Sequence, residues 1–255
     1  MSDMTGELDG MVALVTGSAR NIGRAAVEEL ARAGAAVTVN SKQARDLCEE
    51  VSAGIKADGG KAIVAMGDVR DPAQVNEVLT STFKSFGGVD IIVHNAAVRT
   101  NQSIEELKFE TFKHIIDLSI HGCFHLAKAA IPSMKLRGGG CFVGVGGMSS
   151  LQGVKGRSHV MAAKMGLNAF IRGLAIDLAP YNIRANQVVV GHYDTIRDGN
   201  PSSSSGRQLV DCDVPLGRRG VPQDMANLIR FVVGPKASYI TGQTIHSNGG
   251  AYMNL

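Results

Sequence analysis

Apolar residues in this chain fall into short unbroken runs, and between the runs they recur at three- and four-residue spacing. The runs MVALVT (11–16), AAVTVN (35–40), KAIVAM (61–66), VDIIVHN (89–95), CFVGV (141–145), RANQVVV (184–190) and the short QTIHSN (243–248) read as buried strands. The stretches between them read as helices at 21–34, 43–58, 72–86, roughly 104–136, about 156–179 and 222–233. Gly34 closes the first helix, and Asp71 followed by Pro72 opens the third.

Strands alternating with helices predict a parallel sheet covered on both faces, wound right-handed in each crossover. The expectation is an α/β, doubly wound, single domain over residues 1–255 with about seven strands and no internal repeat. One low-complexity piece, NPSSSSGRQ (200–208), falls in the long connection after the sixth strand and reads as a mobile flap or disordered loop.

Composition narrows the function classes. The chain has 255 residues, 44% hydrophobic and 19% charged, as expected of a globular protein with a substantial core. Its net charge of +3 is spread without a basic block, which argues against nucleic acid or an anionic membrane as partner. No apolar run reaches the ~18 residues of a membrane span. The start, MSDMTGELDG, is too polar and acidic for a signal peptide, so a cytoplasmic location is expected. Cys48, Cys123, Cys141 and Cys212 lie far apart and read as reduced, buried thiols. His121 and His125 share a helix face at metal-ligand spacing, but no third ligand accompanies them, so no metal site is expected.

The first strand–turn–helix carries TGSARNIG (16–23). Free N–H groups and the helix dipole at such a turn favour a phosphate, and Gly17 and Gly23 permit a tight turn and close backbone approach. The turn resembles the T-G-x-x-x-G-x-G of the short-chain dehydrogenase/reductase family, with Asn21 in place of the middle glycine. Further resemblances follow in order. Asp68–Val69 resembles the pair that contacts adenine, HNAA (94–97) the N-N-A-G after strand four, and IRANQV (183–188) the I-R-V-N-A-V. PLGRRGVPQDMANLIRFV and YITGQTIHSNGG resemble the family's C-terminal third.

The resemblance implies a Rossmann-type fold and an NAD(P) site built from Gly17, Arg20, Asn21, Ile22, Gly23, Ser41, Lys42, Asp68, Val69, Asn95, Ala96, Lys164 and Gly191. The second strand ends in Asn40, Ser41 and Lys42, without the carboxylate that NAD enzymes use for the ribose hydroxyls. Arg20 and Lys42 suit the 2′-phosphate of NADP; the alternatives are two solvated cations, NAD, or no bound nucleotide.

The same resemblance locates the reacting groups. The family's Y-A-A-A-K falls on Val160 to Lys164, so the lysine remains and the tyrosine is Val160. The serine, thirteen residues before the tyrosine, is Gly147, and the asparagine of D-V-N-L-x-G-x-F is Ser119. Three of the four catalytic groups are therefore replaced, and general acid–base help worth roughly 10²–10⁴ in rate goes with the tyrosine. His159 should turn away from the old tyrosine position, ~100° round the helix from Val160. His192 and Tyr193 in GHYDT (191–195), and Ser149 and Ser150 beyond Gly147, are the candidates for new chemistry. The family's oligomers form through two long helices, here 104–136 and 156–179. A homo- or hetero-oligomer, dimer or tetramer, is expected through these helices. The reading is a catalytically silent subunit paired with an active relative in a hetero-oligomeric NAD(P)-dependent dehydrogenase, for example a hydroxyacyl-CoA dehydrogenase. The alternatives are altered, non-redox chemistry or an NADP-sensing protein.

Overall fold

A computed structural model describes residues 6–195 and 214–253. The serine-rich stretch 200–208 and Cys212 lie outside the described residues. In chain order the elements are β1 (Val12–Val15), α1 (Asn21–Arg32), β2 (Ala36–Val39), α2 (Arg45–Ala57), β3 (Ala62–Val64), α3 (Pro72–Phe86) and β4 (Ile91–His94). Then come α4 (Phe109–Ile116), a π turn (Asp117–His121), α5 (Gly122–Leu136), β5 (Gly140–Gly147), α6 (Ser149–Gln152) and α7 (Ser158–Leu178). The last elements are β6 (Ile183–Val190), α8 (Pro222–Val233) and β7 (Thr244–Ser247).

The seven strands form one sheet in the order β3-β2-β1-β4-β5-β6-β7. Every pairing is parallel. This is the Rossmann-like, doubly wound α/β arrangement expected from the alternating pattern. Both faces are buried. Ala13, Val15, Ile91 and Val93 point into a core shared with α1, α2 and α8. Leu14, Ile92 and Phe142 point into the core under α3, α5 and α7. Side chains alternating between two cores explain why the strands read as unbroken apolar runs.

The strand order reverses at β1, whose neighbours are β2 and β4. At that reversal the loops after β1 and β4 diverge and leave a crevice at the carboxyl ends of the strands. Local signals set some element ends well. Asp71 Oδ1 accepts from the N–H of Ala73 at 2.9 Å, Pro72 takes the first turn, and Gly87 closes α3 at φ 81°.

Two expectations are corrected. The helix expected over 104–136 begins at Phe109 and is interrupted by the π turn at Asp117–His121. Residues 104–106 instead form a turn, with Glu106 and Leu107 N–H bonded to the Ser103 carbonyl. The π turn places the Ser119 carbonyl 3.1 Å from His94 Nε2, at the tip of β4. The helix expected over 156–179 spans 158–178 and ends in a 3₁₀ turn, Ala179–Tyr181. Among the described residues no helix is long and apolar enough to cross a membrane.

Candidate functional site

A groove of about 670 Å³ crosses the switch point, from Arg20 and Lys42 at one end to Ala97, Arg99 and Thr195 at the other. Its floor is the turn after β1. Gly17 has φ +63°, and a Cβ there would meet Ala96 Cα at 3.0 Å. A Cβ on Gly23 would lie 2.2 Å from the Gly17 carbonyl oxygen. Both glycines are thus required by the closeness of α1 to β1 and β4. Asn21, in the place of the family's middle glycine, has φ 49°. Asparagine is among the few residues that visit this left-handed region readily, so the glycine-like turn survives the replacement. Arg20 precedes α1 and makes no side-chain cap, and it lines the groove with the helix's first residues, so the positive end of the helix dipole faces the groove.

Gly23→Ala is accordingly expected to lower Tm and to abolish any nucleotide-induced rise in Tm. Differential scanning fluorimetry with and without NADP measures both. An unchanged nucleotide response would show that the turn does not hold the pyrophosphate.

Thr16 organises the inner rim and was not singled out in the sequence. Its hydroxyl accepts from the N–H of Asn95 and of Ala96, each at 3.1 Å. Asn95 Nδ2 donates to the carbonyls of Thr16 and Gly17 at 3.0 and 3.1 Å. Asn95 therefore joins the tips of β1 and β4, and reaches a ligand only through the groove wall it forms. Gly191 packs on Asn248, whose Cα would sit 2.5 Å from a Cβ at 191.

At the outer end Asn40 is buried, and its Nδ2 donates to the carbonyls of Ala65 and Gly67 at 2.8 and 3.3 Å. Asn40 braces the strand tips. Ser41 accepts from the Ala44 N–H at 3.3 Å and opens the turn that carries Lys42. Lys42 Nζ lies 3.2 Å from Asp68 Oδ2. Arg70 also binds Asp68, through Nε at 3.0 Å to each oxygen, and donates from Nη1 to His114 Nδ1 at 2.6 Å. These Arg70 bonds, aided by Lys42, hold the Asp68 carboxyl well below the usual carboxylate range. Lys42 thus shares Asp68 with Arg70 at the rim of the groove. Val69, beside Asp68, is buried and lines the groove. The groove lining carries Arg20, Lys42, Arg70 and Arg99 against one carboxylate, Asp68. Such a surplus favours a phosphate-bearing ligand. Arg70, Arg99 and His114 were missed in the sequence because only the fold brings them to the groove.

The positions of the family's reacting groups lie at the end of β5 and the start of α7. Val160 is 4% exposed and packs with Ile115, Ala163 and Ile116. Lys164 is buried and donates from Nζ to the Val145 carbonyl at 2.7 Å. Burial, with Arg99 adding like-charge repulsion, lowers its pKa to about 8. Gly147 ends β5, and Ser119 is buried in the π turn.

His159 is buried, with Nε2 2.8 Å from Thr100 Oγ1. It faces the loop after β4, in keeping with its expected turn away from residue 160. Two neighbouring bonds extend this seam, Arg157 Nε to Asn101 Oδ1 at 2.6 Å and Gln102 N–H to the Gly156 carbonyl at 2.9 Å.

Tyr193 belongs to the hydrophobic core, and its hydroxyl lies 2.5 Å from Ser247 Oγ. Burial raises the phenol's pKa, which disfavours the phenolate a proton shuttle would use. The backbone of His192 accepts from the Gly220 N–H at 2.9 Å. His121 Nδ1 is 2.9 Å from Asp117 Oδ1, one helical turn back, and the His125 ring contacts Phe124 at 5.6 Å between centroids. Among the described residues no three His, Cys, Asp or Glu side chains gather as a metal site. Cys48, Cys123 and Cys141 are free and buried.

A family profile described as Enoyl-(acyl carrier protein) reductase matches residues 17–252. The chain belongs to the short-chain dehydrogenase/reductase family, a family of oxidoreductases. Among its relatives is L-rhamnose 1-dehydrogenase (NAD(P)(+)) of Sphingomonas sp. (strain SKA58), 32% identical over 97% of this chain and 98% of that one. Another is 3-oxoacyl-(acyl-carrier-protein) reductase FabG of Escherichia coli K12, 34% identical over 96% and 98%. A short chain dehydrogenase from Burkholderia cenocepacia J2315, solved in complex with NADP, superposes with a TM-score of 0.88 at 31% identity, covering 96% of this chain and 99% of that one.

Proposed function

We propose that this chain binds NADP in the switch-point groove and transfers no hydride by itself, acting as the silent subunit of a cytoplasmic assembly with an active family member. The observation that carries this is Val160, an apolar side chain packed into Ile115 and Ala163 where the family's proton donor would stand. Gly147 and Ser119 add to it, since neither restores a side chain of the family's type at its position.

The residues present fit the nucleotide. The cradle at Gly17 and Gly23 has no room for a Cβ, as a close pyrophosphate would require. The main chain of Asn21, Ile22 and Gly23 would hold the phosphates. Arg20, Ser41 and Lys42 would face the 2′-phosphate, and Asp68 and Val69 the adenine. Asn95, Ala96, Gly191 and Lys164 would bound the nicotinamide ribose. When bound, the nicotinamide carries a hydride; the chain's own residues position it and exclude water.

The partner surface would be the exposed apolar side chains on the long helices. Phe109, Phe124, Met165 and Ile176 are 70%, 48%, 43% and 78% exposed. Covering these side chains would favour assembly. The substrate of the assembly would be a carbonyl or alcohol of the kind handled by the named relatives, a 3-oxoacyl thioester or L-rhamnose.

NADP is expected to raise Tm more than NAD at equal concentration, and Arg20→Ala to remove most of the difference. Scanning fluorimetry on the purified chain reads this directly. Native mass spectrometry of the protein from its own source tests the assembly. A stoichiometric complex with a relative that keeps serine, tyrosine and lysine supports the proposal. A homo-oligomer that turns over either probe unaided overturns it.

A further inference from the structure

Among the described residues, apart from its chain neighbours, a single hydroxyl lies near the bare face of Gly147. A Cβ built on Gly147 meets one heavy atom within 4 Å, the Ser149 Oγ at 3.9 Å. Ser149 is half-buried, and its hydroxyl makes no hydrogen bond among the described residues. The residues on either side of it are held. Met148 is buried and donates its N–H to the Val190 carbonyl at 2.9 Å. Ser150 Oγ donates to the Gly147 carbonyl at 2.7 Å. A donor held by its neighbours in this way is preorganised, which is what recognition of a ligand oxygen requires. A bare Cα at 147 leaves room for that oxygen to come within ~2.8 Å of Ser149 Oγ.

We infer that Ser149 is a ligand-binding residue, its hydroxyl donating to a carbonyl oxygen seated over Gly147. The inference rests on the proposed reading of the cleft as a carbonyl site that lacks its acid. It adds that the hydrogen-bond donor of that site was relocated by two residues while the acid was lost.

The test uses the full chain with NADPH and a 3-oxoacyl thioester or L-rhamnose plus NADP. In a Val160→Tyr variant the C4 hydride forms a C–H bond at the carbonyl carbon, and the π pair passes to oxygen. The introduced phenol supplies the proton; NADPH is oxidised as the carbonyl is reduced. Val160→Tyr alone is expected to show turnover. Adding Ser149→Ala should lower kcat/KM by on the order of 10². Further addition of Gly147→Ser should recover most of it.

Equal activity with and without Ser149→Ala overturns the inference. So does activity that appears only when Gly147→Ser is present. If no Val160→Tyr variant folds or turns over, the reading of the cleft fails on its own. Ser149 is then judged in the unaltered chain by saturation-transfer NMR from NADP-loaded protein to the thioester and to L-rhamnose. Transfer that Ser149→Ala weakens several-fold supports the assignment; no transfer, or transfer unchanged by the substitution, overturns it.

Discussion

A chain carrying both Val160→Tyr and Gly147→Ser is expected to fold and to oxidise NADPH in the presence of a 3-oxoacyl thioester or a comparable ketone. The unaltered chain is expected to show no turnover above background. Gly147 lies at the end of a strand with no left-handed φ, and among the described residues beyond its chain neighbours a Cβ there would meet nothing closer than 3.9 Å, so serine is accommodated. Tyrosine at 160 has a harder task, because it must leave the packing of Ile115 and Ala163 and turn its ring toward the cleft. Overpacking there would cost about 1–3 kcal/mol, within the stability of an ordinary domain. Lys164 lies one helical turn on, with its Nζ buried and its pKa near 8. Its charge would draw the phenol's pKa down, the adjustment a general acid near neutral pH needs. The acid should contribute roughly 10²–10⁴ to the rate; with Ser149 already donating to the oxygen, the hydroxyl added at 147 should contribute little more. Loss of NADPH absorbance reads the result. A folded, NADPH-binding double variant with no turnover on either probe would mean that the missing hydroxyls are not what silences the site.

The extent to which the sequence disclosed this site follows the range of the forces involved. The bounds of α3 and α8 were legible because Asp71–Pro72 and Val221–Pro222 are local signals. The strands were legible because two cores demand apolar side chains on both faces. The π turn at Asp117–His121 was not legible. It depends on a carbonyl meeting His94 across 25 residues, and no local periodicity records that. The short helix α6 was missed for the same reason, since Met148 is pinned by a strand 42 residues later. At the groove, Gly17 and Gly23 announced themselves because nothing larger fits. Arg70 and His114 did not, because they meet only when α4 folds over the β3 tip. The Lys42–Asp68 pair was not legible either, because it joins the tips of two strands.

His94 should dominate the acid side of the stability curve. It takes the place of the first asparagine in the family's N-N-A-G and is 1% exposed, with Nε2 on the Ser119 carbonyl and Nδ1 3.5 Å from Thr16 Oγ1. Burial, reinforced by the charge of Lys164, depresses its pKa to about 3. An unfolded histidine titrates near ~6.5. Above that pH both states are neutral and the residue makes no pH-dependent contribution. As the pH falls from ~6.5 toward 3 the unfolded chain binds a proton that the folded chain refuses, so stability is lost by ~1.4 kcal/mol per pH unit. Asp68, whose folded pKa is depressed, contributes its loss only below ~4, where the unfolded carboxylate begins to protonate. Between pH 6 and 4 the slope therefore belongs largely to histidines, with His159, His114 and His246, also lowered by burial, adding to that of His94. His94→Asn keeps a group able to donate to the Ser119 carbonyl and removes the titration. Urea unfolding at pH 7, 6, 5 and 4 should show the variant losing less stability than the unaltered chain as pH falls, the difference between them shifting in the variant's favour by about 2–3 kcal/mol across the range. Parallel curves would mean that His94 is protonated in the folded protein. The clamp between β4 and the π turn would then be held by an ion rather than by a neutral ring.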